Sequence, residues 1–372
     1  PHPKTPALPS PPLPANALCL AIFRITVLPR RPQILRIHSN RALFFVGYVL
    51  VSLLFTKYYF LFTHEYYEPA TSERMADFTA DKVFQKRVLT IILAKSTVIL
   101  TGLSLDHALK ACCVVSCIAL LYGFRGLLRE TNPNPAAGSE FLIIVPLAWN
   151  YIALNGIYHS YDLPSLAFFC WGIVLFLRRR YAWFYLLYAI ASLNRESTCF
   201  ITIALFALLL RAPTKSIHVF PLREVVKYNR LLILHCTGQT VLWFIMKNSV
   251  EYVFRGNPGN YYEKTFSMYK FLGDAWAGKA SWPYLTPETF LGNPRCFITL
   301  FAGIWIFVPL FWQFVPEQTK KLLWVAPPYL FGAILFANLM ETRVYHEMNI
   351  IITACAVGGI HEWWRARHKK TC

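Results

Sequence analysis

Long apolar stretches separated by short charged segments run through most of this chain, and they restrict its fold more than any other feature. The first is residues 42–62, in which Lys57 is the single charged residue. Inside a lipid bilayer the backbone polar groups must be paired within the protein, which leaves helices and closed barrels. Because the hydrophobicity is continuous rather than alternating, it predicts helices. We therefore predict an all-α, polytopic transmembrane bundle.

Several of the later apolar runs are short for a membrane span. They hold about 13–16 residues where about 20 are usual, so tilted or broken helices are expected. The run 88–124 dips in hydrophobicity at Asp106, His107 and Lys110, and is either two crossings or one crossing with a re-entrant segment. The runs after it are 141–157, 163–177, 181–193, 198–210, 231–246, 297–315, 322–339 and 349–360.

The composition agrees with a membrane protein and disfavours nucleic-acid binding. Only 15% of the residues are charged, against about 25% in an average soluble domain, and 56% are hydrophobic. The formal charge of +18 comes from basic clusters beside apolar runs, such as Arg178–Arg180, which is the pattern of cytoplasmic loops. Most of the ten cysteines lie inside apolar runs. No spacing of cysteine and histidine suggests zinc, so we expect no metal and no cofactor.

The basic clusters also predict the topology. If they are cytoplasmic, the chain crosses about ten times with both termini inside, and 88–124 makes one net crossing. This divides the chain into a disordered, basic leader (1–41), a transmembrane domain (42–362) and a basic tail (363–372). Five polar segments then share the non-cytoplasmic face: the loop 64–87, the corners at 159–164 and 193–197, the loop 247–295, and the island 340–348.

The island 340–348 needs a physical explanation because it places Glu341, Arg343, His346 and Glu347 between two apolar runs. A charge at membrane depth costs at least about 2.5 kcal/mol, so it normally faces a partner, a water-filled cavity or a ligand. On one helix Arg343 and Glu347 would stand four residues apart and could pair. The island is therefore either a structural ion-pair cluster or part of a phosphate or substrate site.

The two corners carry similar alternatives. Pro164 suits the first turn of a helix, and Asp162 would cap that helix, alone or together with a role in the site. In the second corner Arg195 and Glu196 would either pair with each other in a helical hairpin, or Arg195 would bind phosphate or carboxylate through its planar guanidinium.

The two predicted external loops complete the set of candidates. The acids of the first loop are either a solvated surface or the source of a general base. The loop 247–295 is rich in tyrosine and tryptophan, which form either an interfacial girdle or a platform for sugar rings. No glycine-rich phosphate loop, G-x-S-x-G or dinucleotide motif is present in the sequence.

In the order of these parts the chain resembles the multi-spanning bacterial membrane proteins related to the GT-C glycosyltransferases, which take sugars from polyprenyl-phosphate carriers. The likeness covers residues 42–362 and lies in an acidic loop ending in Lys86-Arg87-Val88-Leu89, then Tyr161-Asp162-Leu163-Pro164, Leu193-Asn194-Arg195-Glu196 and Glu341-Thr342-Arg343 with Glu347. The resemblance implies a catalytic carboxylate in the first loop, which leaves Glu65, Glu68, Asp77 and Asp81 open. The Asp-Glu or Asp-Asp pair of many such enzymes is absent, with His64-Glu65 nearest to it.

The resemblance to these glycosyltransferases implies a role for each candidate residue. A general base would come from the four loop acids or from Asp162, and Arg87, Arg195 and Arg343 would hold the phosphate. The supporting residues would be Tyr161, Asn194, Glu196, Glu341, His346 and Glu347. The expected partners are membrane lipid and a polyprenyl-phosphate-linked sugar, at a bacterial plasma membrane, with no metal ion required.

Two other functions use the same residues differently. In a transporter or flippase for an anionic or lipid-linked substrate, the arginines would bind but nothing would be transferred. In a structural scaffold, the charged islands would pair with one another around no cavity. Because we find no internal repeat of the kind common in transporters, the sequence favours the enzyme.

Overall fold

The computed structural model of this chain describes residues 41–63, 68–155, 158–210, 222–260, 299–336 and 342–368. The chain divides into two compact units, Pro1–Phe44 and Phe45–Cys372. Residues 41–44 are the described part of the first unit, so the predicted leader lies outside the described residues. All described elements are helical, which confirms an all-α fold for this part of the chain.

The longer α-helices alternate with short and irregular helical turns. The helices of ten residues or more are α1 (Arg41–Phe62), α2 (Leu89–Thr101), α3 (Leu105–Thr131), α4 (Asp162–Leu177), α5 (Tyr181–Asn194), α6 (Cys199–Leu209), α7 (Leu222–Val253), α8 (Ala326–Phe336) and α9 (His346–His368). Short α-helices span Ser72–Ala76, Lys82–Gln85, Ile144–Ala148, Phe307–Leu310 and Glu317–Leu322. Short 3₁₀-helices span Glu68–Ala70, Ser139–Ile143, Glu196–Thr198, Leu300–Ile306, Trp312–Phe314, Leu323–Val325 and Thr342–Tyr345, and a π-helix spans Trp149–Asn155.

The apolar run 88–124 contains two helices joined by a short turn. Helix α2 ends at Gly102, whose φ of 72° is a left-handed conformation that glycine adopts without strain. Ser104 then caps α3, because its side chain accepts a hydrogen bond from the backbone N–H of His107. Lys110 pairs with Asp106 at 2.6 Å in the first turns of α3. The polar residues inside this run, Asp106, His107 and Lys110, therefore lie in the first turns of α3.

Helix α2 lies at one end of the bundle and does not run along it. It has 13 residues, and at 1.5 Å per residue it is about 20 Å long. Thr90 in its first turn donates a hydrogen bond to Asn194, the last residue of α5, at 2.9 Å. Lys110 near the start of α3 lies 5.4 Å from the ring of Phe60 near the end of α1. Helix α2 and the start of α3 therefore lie at the same end of the bundle. Of these two helices, only α3 extends from one end of the bundle to the other.

Helices α3 and α4 pack side by side because glycines let their backbones approach closely. The indole N–H of Trp171 donates to the carbonyl of Ala119 at 2.8 Å. A Cβ atom added to Gly123 would lie 2.9 Å from the Cβ of Cys170, and one on Gly126 would lie 3.1 Å from Val174. Small residues at such interfaces allow dense packing between apolar helices.

Helix α9 forms the centre of the bundle. Its residues 346–359 are almost all buried, including polar His346, Glu347, Asn349 and Thr353. A helix that is buried on every side lies inside a large bundle or a membrane. Near the end of this buried part, a Cβ on Gly358 would lie 2.9 Å from the ring of Pro316. Glycine at this position therefore leaves room for Pro316, which precedes the short helix Glu317–Leu322.

Contacts between distant residues define two ends of this bundle. At the basic end, Arg178 pairs with Glu130 at 2.9 Å, and Asn134 donates to Glu362 at 3.4 Å. At the opposite end, which we call the island end, the backbone N–H of His159 donates to the hydroxyl of Tyr59, and the indole of Trp243 donates to the carbonyl of Glu196. Helices α3, α4 and α9 run from the island end to the basic end, and α1, α5 and α7 run the other way.

Two described helices are long and apolar enough to cross a membrane, namely Ala42–Phe62 and Leu105–Thr131. The shorter apolar helices among the described residues have 10–17 residues. Apolar segments shorter than a usual span are therefore present, as predicted, and the number of crossings stays a prediction.

Three details of the sequence reading are corrected. Asp162 is the first residue of α4 and not its cap, because Tyr161 holds the cap position and makes no side-chain capping bond. The predicted loop 247–295 begins later, since α7 continues to Val253. The predicted tail 363–372 begins within α9, which is helical to His368. The placement of Pro164 in the first turn of α4 is confirmed.

We predict that Gly123→Val destabilises the bundle by about 1–3 kcal/mol, because the new side chain would overlap Cys170 and Trp171. The measurement is the thermal unfolding temperature of the detergent-purified protein. Gly256→Ala is the matched control, because a Cβ at Gly256 meets nothing within 4 Å. Equal unfolding temperatures for the two variants would contradict close packing of α3 on α4.

Candidate functional site

A cluster of ionisable side chains lies at the island end, contributed by four separate parts of the chain. We call it the charged cluster. Asp162, His346 and Glu347 are no more than 2% exposed, and Arg195 is 11% exposed, so the cluster lies inside the bundle. Its members are Lys86, Arg87, Asp162, Arg195, Glu196, His346 and Glu347.

Arg195 forms the centre of one half of the cluster. It follows the last residue of α5 in an extended conformation, with φ −162° and ψ 148°, which ends the helix. Its Nη1 donates to Oδ1 of Asp162 at 2.8 Å and lies 2.9 Å from Nδ1 of His346. The guanidinium therefore joins the start of α4 to the start of α9. Of the two alternatives for Arg195, pairing with its neighbour Glu196 does not occur, because Arg195 bonds to Asp162.

A chain of hydrogen bonds continues from His346. Nη1 of Arg195 lies 2.9 Å from Nδ1 and 3.1 Å from Nε2 of His346, so the guanidinium faces both ring nitrogens. Nε2 lies 3.2 Å from Oε2 of Glu347, and that oxygen also accepts from the hydroxyl of Tyr329 in α8. The result is a buried path Asp162–Arg195–His346–Glu347–Tyr329 across three helices.

Glu196 forms the centre of the other half. Its carboxylate pairs with Nζ of Lys86 and lies 3.4 Å from Nε of Arg87. Burial raises the pKa of the Glu196 carboxyl, but the two cations lower it by more, so this pKa lies well below its usual range. Glu196 is therefore ionised at neutral pH, and it fixes the end of the first-loop segment against the junction of α5 and α6.

Tyr161 connects the two halves. Nη1 of Arg87 donates to its hydroxyl at 2.6 Å, and the hydroxyl lies 3.1 Å from Nδ1 of His159. The Arg87 guanidinium is 4.6 Å from the centre of the Tyr161 ring, and the Arg195 guanidinium is 5.9 Å from it. Two cations thus face one buried aromatic ring, which favours them electrostatically.

Asn194 holds the backbone of the site in place. Its amide nitrogen donates to the carbonyl of Tyr161 and to the hydroxyl of Ser165, both at 2.8 Å. Its oxygen accepts from Thr90. These bonds connect α2, α4 and α5, so the side chain acts as a structural link at this end.

The first-loop acids lie apart from the charged cluster in the described contacts. Asp77 is 74% exposed and 3.8 Å from Lys95. Glu68 is exposed. Asp81 lies beside the segment after α7, where a Cβ on Gly259 would be 2.8 Å from Oδ2 of Asp81. Glu65, Glu341 and the side chain of Arg343 lie outside the described residues, so the predicted Arg343–Glu347 pair does as well.

The sequence analysis did not predict several residues that belong to the site or lie beside it. Lys86 was noted only beside Arg87, although two adjacent cations are themselves a signal. Tyr329 lies in an apolar run with no sign of a polar role. Tyr151 is buried in the π-helix, 6.4 Å from the His346 ring, and its hydroxyl has no hydrogen-bond partner among the described residues. π-Helices are frequent at functional sites, but none can be read from a sequence.

Two surface grooves do not include the charged cluster. Among the described residues, no group of three histidine, cysteine, aspartate or glutamate side chains could hold a metal ion. The two grooves, of about 580 and 620 Å³, border α1, and no member of the charged cluster lines them. The larger is lined by apolar side chains such as Phe55, Ile144 and Trp149.

A second buried charged group lies near the basic end. The Tyr48 hydroxyl donates to the Glu140 carboxylate, and Nη1 of Arg125 donates to the same hydroxyl at 3.2 Å. Nε of Arg125 lies 3.6 Å from the Glu140 carboxylate. These residues connect α1, α3 and the turn Ser139–Ile143, and their mutual pairing indicates a structural role.

We predict that Asp162→Ala destabilises the protein by about 3–5 kcal/mol, because it leaves the Arg195 guanidinium buried without its carboxylate. The double variant Asp162→Leu with Arg195→Met should recover most of this loss, since it removes both charges. Thermal unfolding in detergent measures both. An additive loss in the double variant would show that the two side chains are not coupled.

Comparison of the chain with protein-family models, curated proteins and solved structures gives no match.

Proposed function

We propose that this chain is a multi-pass membrane enzyme that transfers a sugar from a polyprenyl-phosphate carrier on the non-cytoplasmic face. The observation that carries the proposal is the charged cluster, which gathers Lys86, Arg87 and Arg195 with three carboxylates at one end of an apolar bundle. Such a concentration of charge is costly within or beside a membrane, and it is typical of substrate sites.

The topology in this proposal has about ten crossings with both termini inside. The helix directions agree with it, because α1, α5 and α7 run towards the island end and α3, α4 and α9 run back. One further crossing then lies between α3 and α4, and one between α5 and α7. The position of α2 at the island end agrees with one net crossing by 88–124. The basic end would face the cytoplasm of a bacterial cell.

The transfer itself is a substitution at the first carbon of the sugar. An acceptor hydroxyl oxygen bonds to that carbon, the bond from the carbon to the phosphate oxygen breaks, and its electron pair leaves with the phosphate. A base takes the hydroxyl proton. Arg195, with Arg87 and Arg343, would hold the phosphate while its charge increases.

Asp162 is the described carboxylate best suited to be the base. Its Oδ1 lies 2.8 Å from the guanidinium that would hold the phosphate. The carboxylate would therefore be close to both the acceptor hydroxyl and the leaving phosphate. Glu196 is less suited, because two cations hold its proton affinity low. The loop acids Glu65, Glu68, Asp77 and Asp81 remain alternatives, which require the first loop to reach the cluster.

The pairing within the cluster has a consequence for binding. Arg195 is bonded to Asp162 and His346, so an incoming phosphate must take over hydrogen bonds that these groups now receive. Phosphate binding and release of the Asp162 carboxylate from Arg195 would then be one event.

A transporter or flippase for an anionic or lipid-linked substrate is the second candidate. The observation that favours it is the broken helices: the π-helix Trp149–Asn155, and a turn at Leu300–Ile306 in which Phe301, Ala302 and Gly303 have positive φ. Interrupted helices near the middle of a bundle are common in transporters.

We predict that Arg195→Lys lowers sugar transfer at least about 10-fold, because lysine keeps the charge but loses the planar fork that binds two phosphate oxygens. Arg343→Ala should abolish transfer. The assay is transfer of labelled sugar from polyprenyl phosphate in proteoliposomes, with unfolding temperature measured in parallel. Lys110→Gln, which breaks an exposed pair at the same end, is the control.

The outcomes separate the candidates. Wild-type transfer by properly folded Arg195→Lys and Arg343→Ala variants would exclude these residues as phosphate ligands. Movement of an intact labelled substrate across a sealed bilayer, without any covalent change, would identify a transporter instead.

A further inference from the structure

The turn between α4 and α5 consists of three arginines in an unusual backbone conformation. The backbone N–H of Arg180 donates to the carbonyl of Leu175, and that of Arg179 donates to the carbonyl of Phe176, each at 2.9 Å. This pair of bonds is the Schellman arrangement that ends many helices. It requires a left-handed residue at its centre, and Arg179 has a φ of 59°.

An arginine at this position is unfavourable for the backbone. The left-handed conformation brings Cβ too close to the following carbonyl, so glycine is the usual residue there. Strained residues persist where the surrounding structure holds them in place, and they are frequent at functional sites.

The side chains of the turn point outward with unbalanced charge. Arg178 pairs with Glu130 at 2.9 Å, and it is still 41% exposed. Arg179 and Arg180 are exposed and form no ion pair with any described residue. At the island end, in contrast, the arginines of the charged cluster are bonded to carboxylates.

An apolar stripe begins directly beside this turn. Trp183, Leu186 and Ile190 lie three and four residues apart on one face of α5 and are 63%, 52% and 36% exposed. On the neighbouring helix α7, Lys227 and Arg230 are exposed, and His235 of that helix stacks on Tyr181 with ring centres 4.8 Å apart. The surface thus combines clustered cations with an adjoining strip of lipid-compatible side chains.

We propose that the arginine turn, Arg178–Arg180, binds the phosphate of an anionic phospholipid at the basic end, with an acyl chain along Trp183, Leu186 and Ile190. The guanidinium matches phosphate oxygens, and basic residues beside a membrane attract anionic headgroups. The adjoining apolar stripe favours a lipid over a soluble phosphate. This inference rests on the membrane placement in the proposed function and is independent of sugar transfer.

The sharpest test is Arg179→Gly, because it removes the charge and relieves the backbone at once. It should raise the unfolding temperature by about 1–3 °C while lowering affinity for phosphatidylglycerol about fivefold. Arg179→Lys should lower the affinity less than Arg179→Gly does, because lysine keeps the charge but loses the planar guanidinium. Replacement of all three arginines by Gln should lower the affinity about 100-fold. Binding of fluorescent phosphatidylglycerol to the full chain in neutral detergent micelles measures this.

Arg255→Gln is the matched control, because Arg255 is an exposed arginine at the opposite end. Its removal should leave phosphatidylglycerol affinity unchanged. Unchanged affinity in the triple Gln variant, equal affinity for phosphatidylcholine, or full competition by soluble glycerol phosphate would each overturn the inference. Release of the protein from membranes by alkaline carbonate would instead overturn the membrane placement, and loss of sugar transfer alone would leave the lipid site intact.

Discussion

The ion pair between Arg195 and Asp162 is the constraint on which the island end depends. A guanidinium that is largely removed from water is tolerated only with a carboxylate beside it, and Asp162 is fully buried in contact with it. This pair fixes the start of α4 against the end of α5, and the bond from Arg195 to His346 adds the start of α9. Once these three helix ends are joined, the positions of Tyr161 and Asn194 follow, because they are neighbours of the paired residues in the chain.

Helices α4 and α9 are also held along their length by close backbone packing. Gly123 and Gly126 bring α3 against α4, and Gly358 admits a neighbouring segment to α9. Such contacts gain dispersion energy without polar groups, so they suit a bundle whose sides are apolar. The ion pairs Arg195–Asp162 and Arg178–Glu130 join separate helices at the two ends.

The two ends use charge in opposite ways. At the island end, cations and carboxylates are interleaved and mostly buried, which gives a network in which a ligand must exchange with an internal partner. At the basic end, the arginine turn presents positive charge outward and leaves it without described carboxylate partners at Arg179 and Arg180. The first arrangement suits selective binding or chemistry, and the second suits attraction to an anionic surface.

The sequence by itself determined the helical class, the approximate position of most helices, and part of the charged cluster, namely Asp162, Arg195, Glu196, His346 and Glu347. Continuous rather than alternating apolar runs favour helices, and charges between such runs need partners. It did not determine which charge pairs with which. Arg195 bonds to Asp162 and not to its neighbour Glu196, and Glu347 bonds to Tyr329 of an apolar run. Those partners are set by the relative positions of helices distant in the chain, which depend on packing at glycines and on a π-helix that has no sequence signal. The tertiary structure alone therefore decided the pairing within the cluster, because a buried charge bonds to whichever partner the packed helices bring within reach.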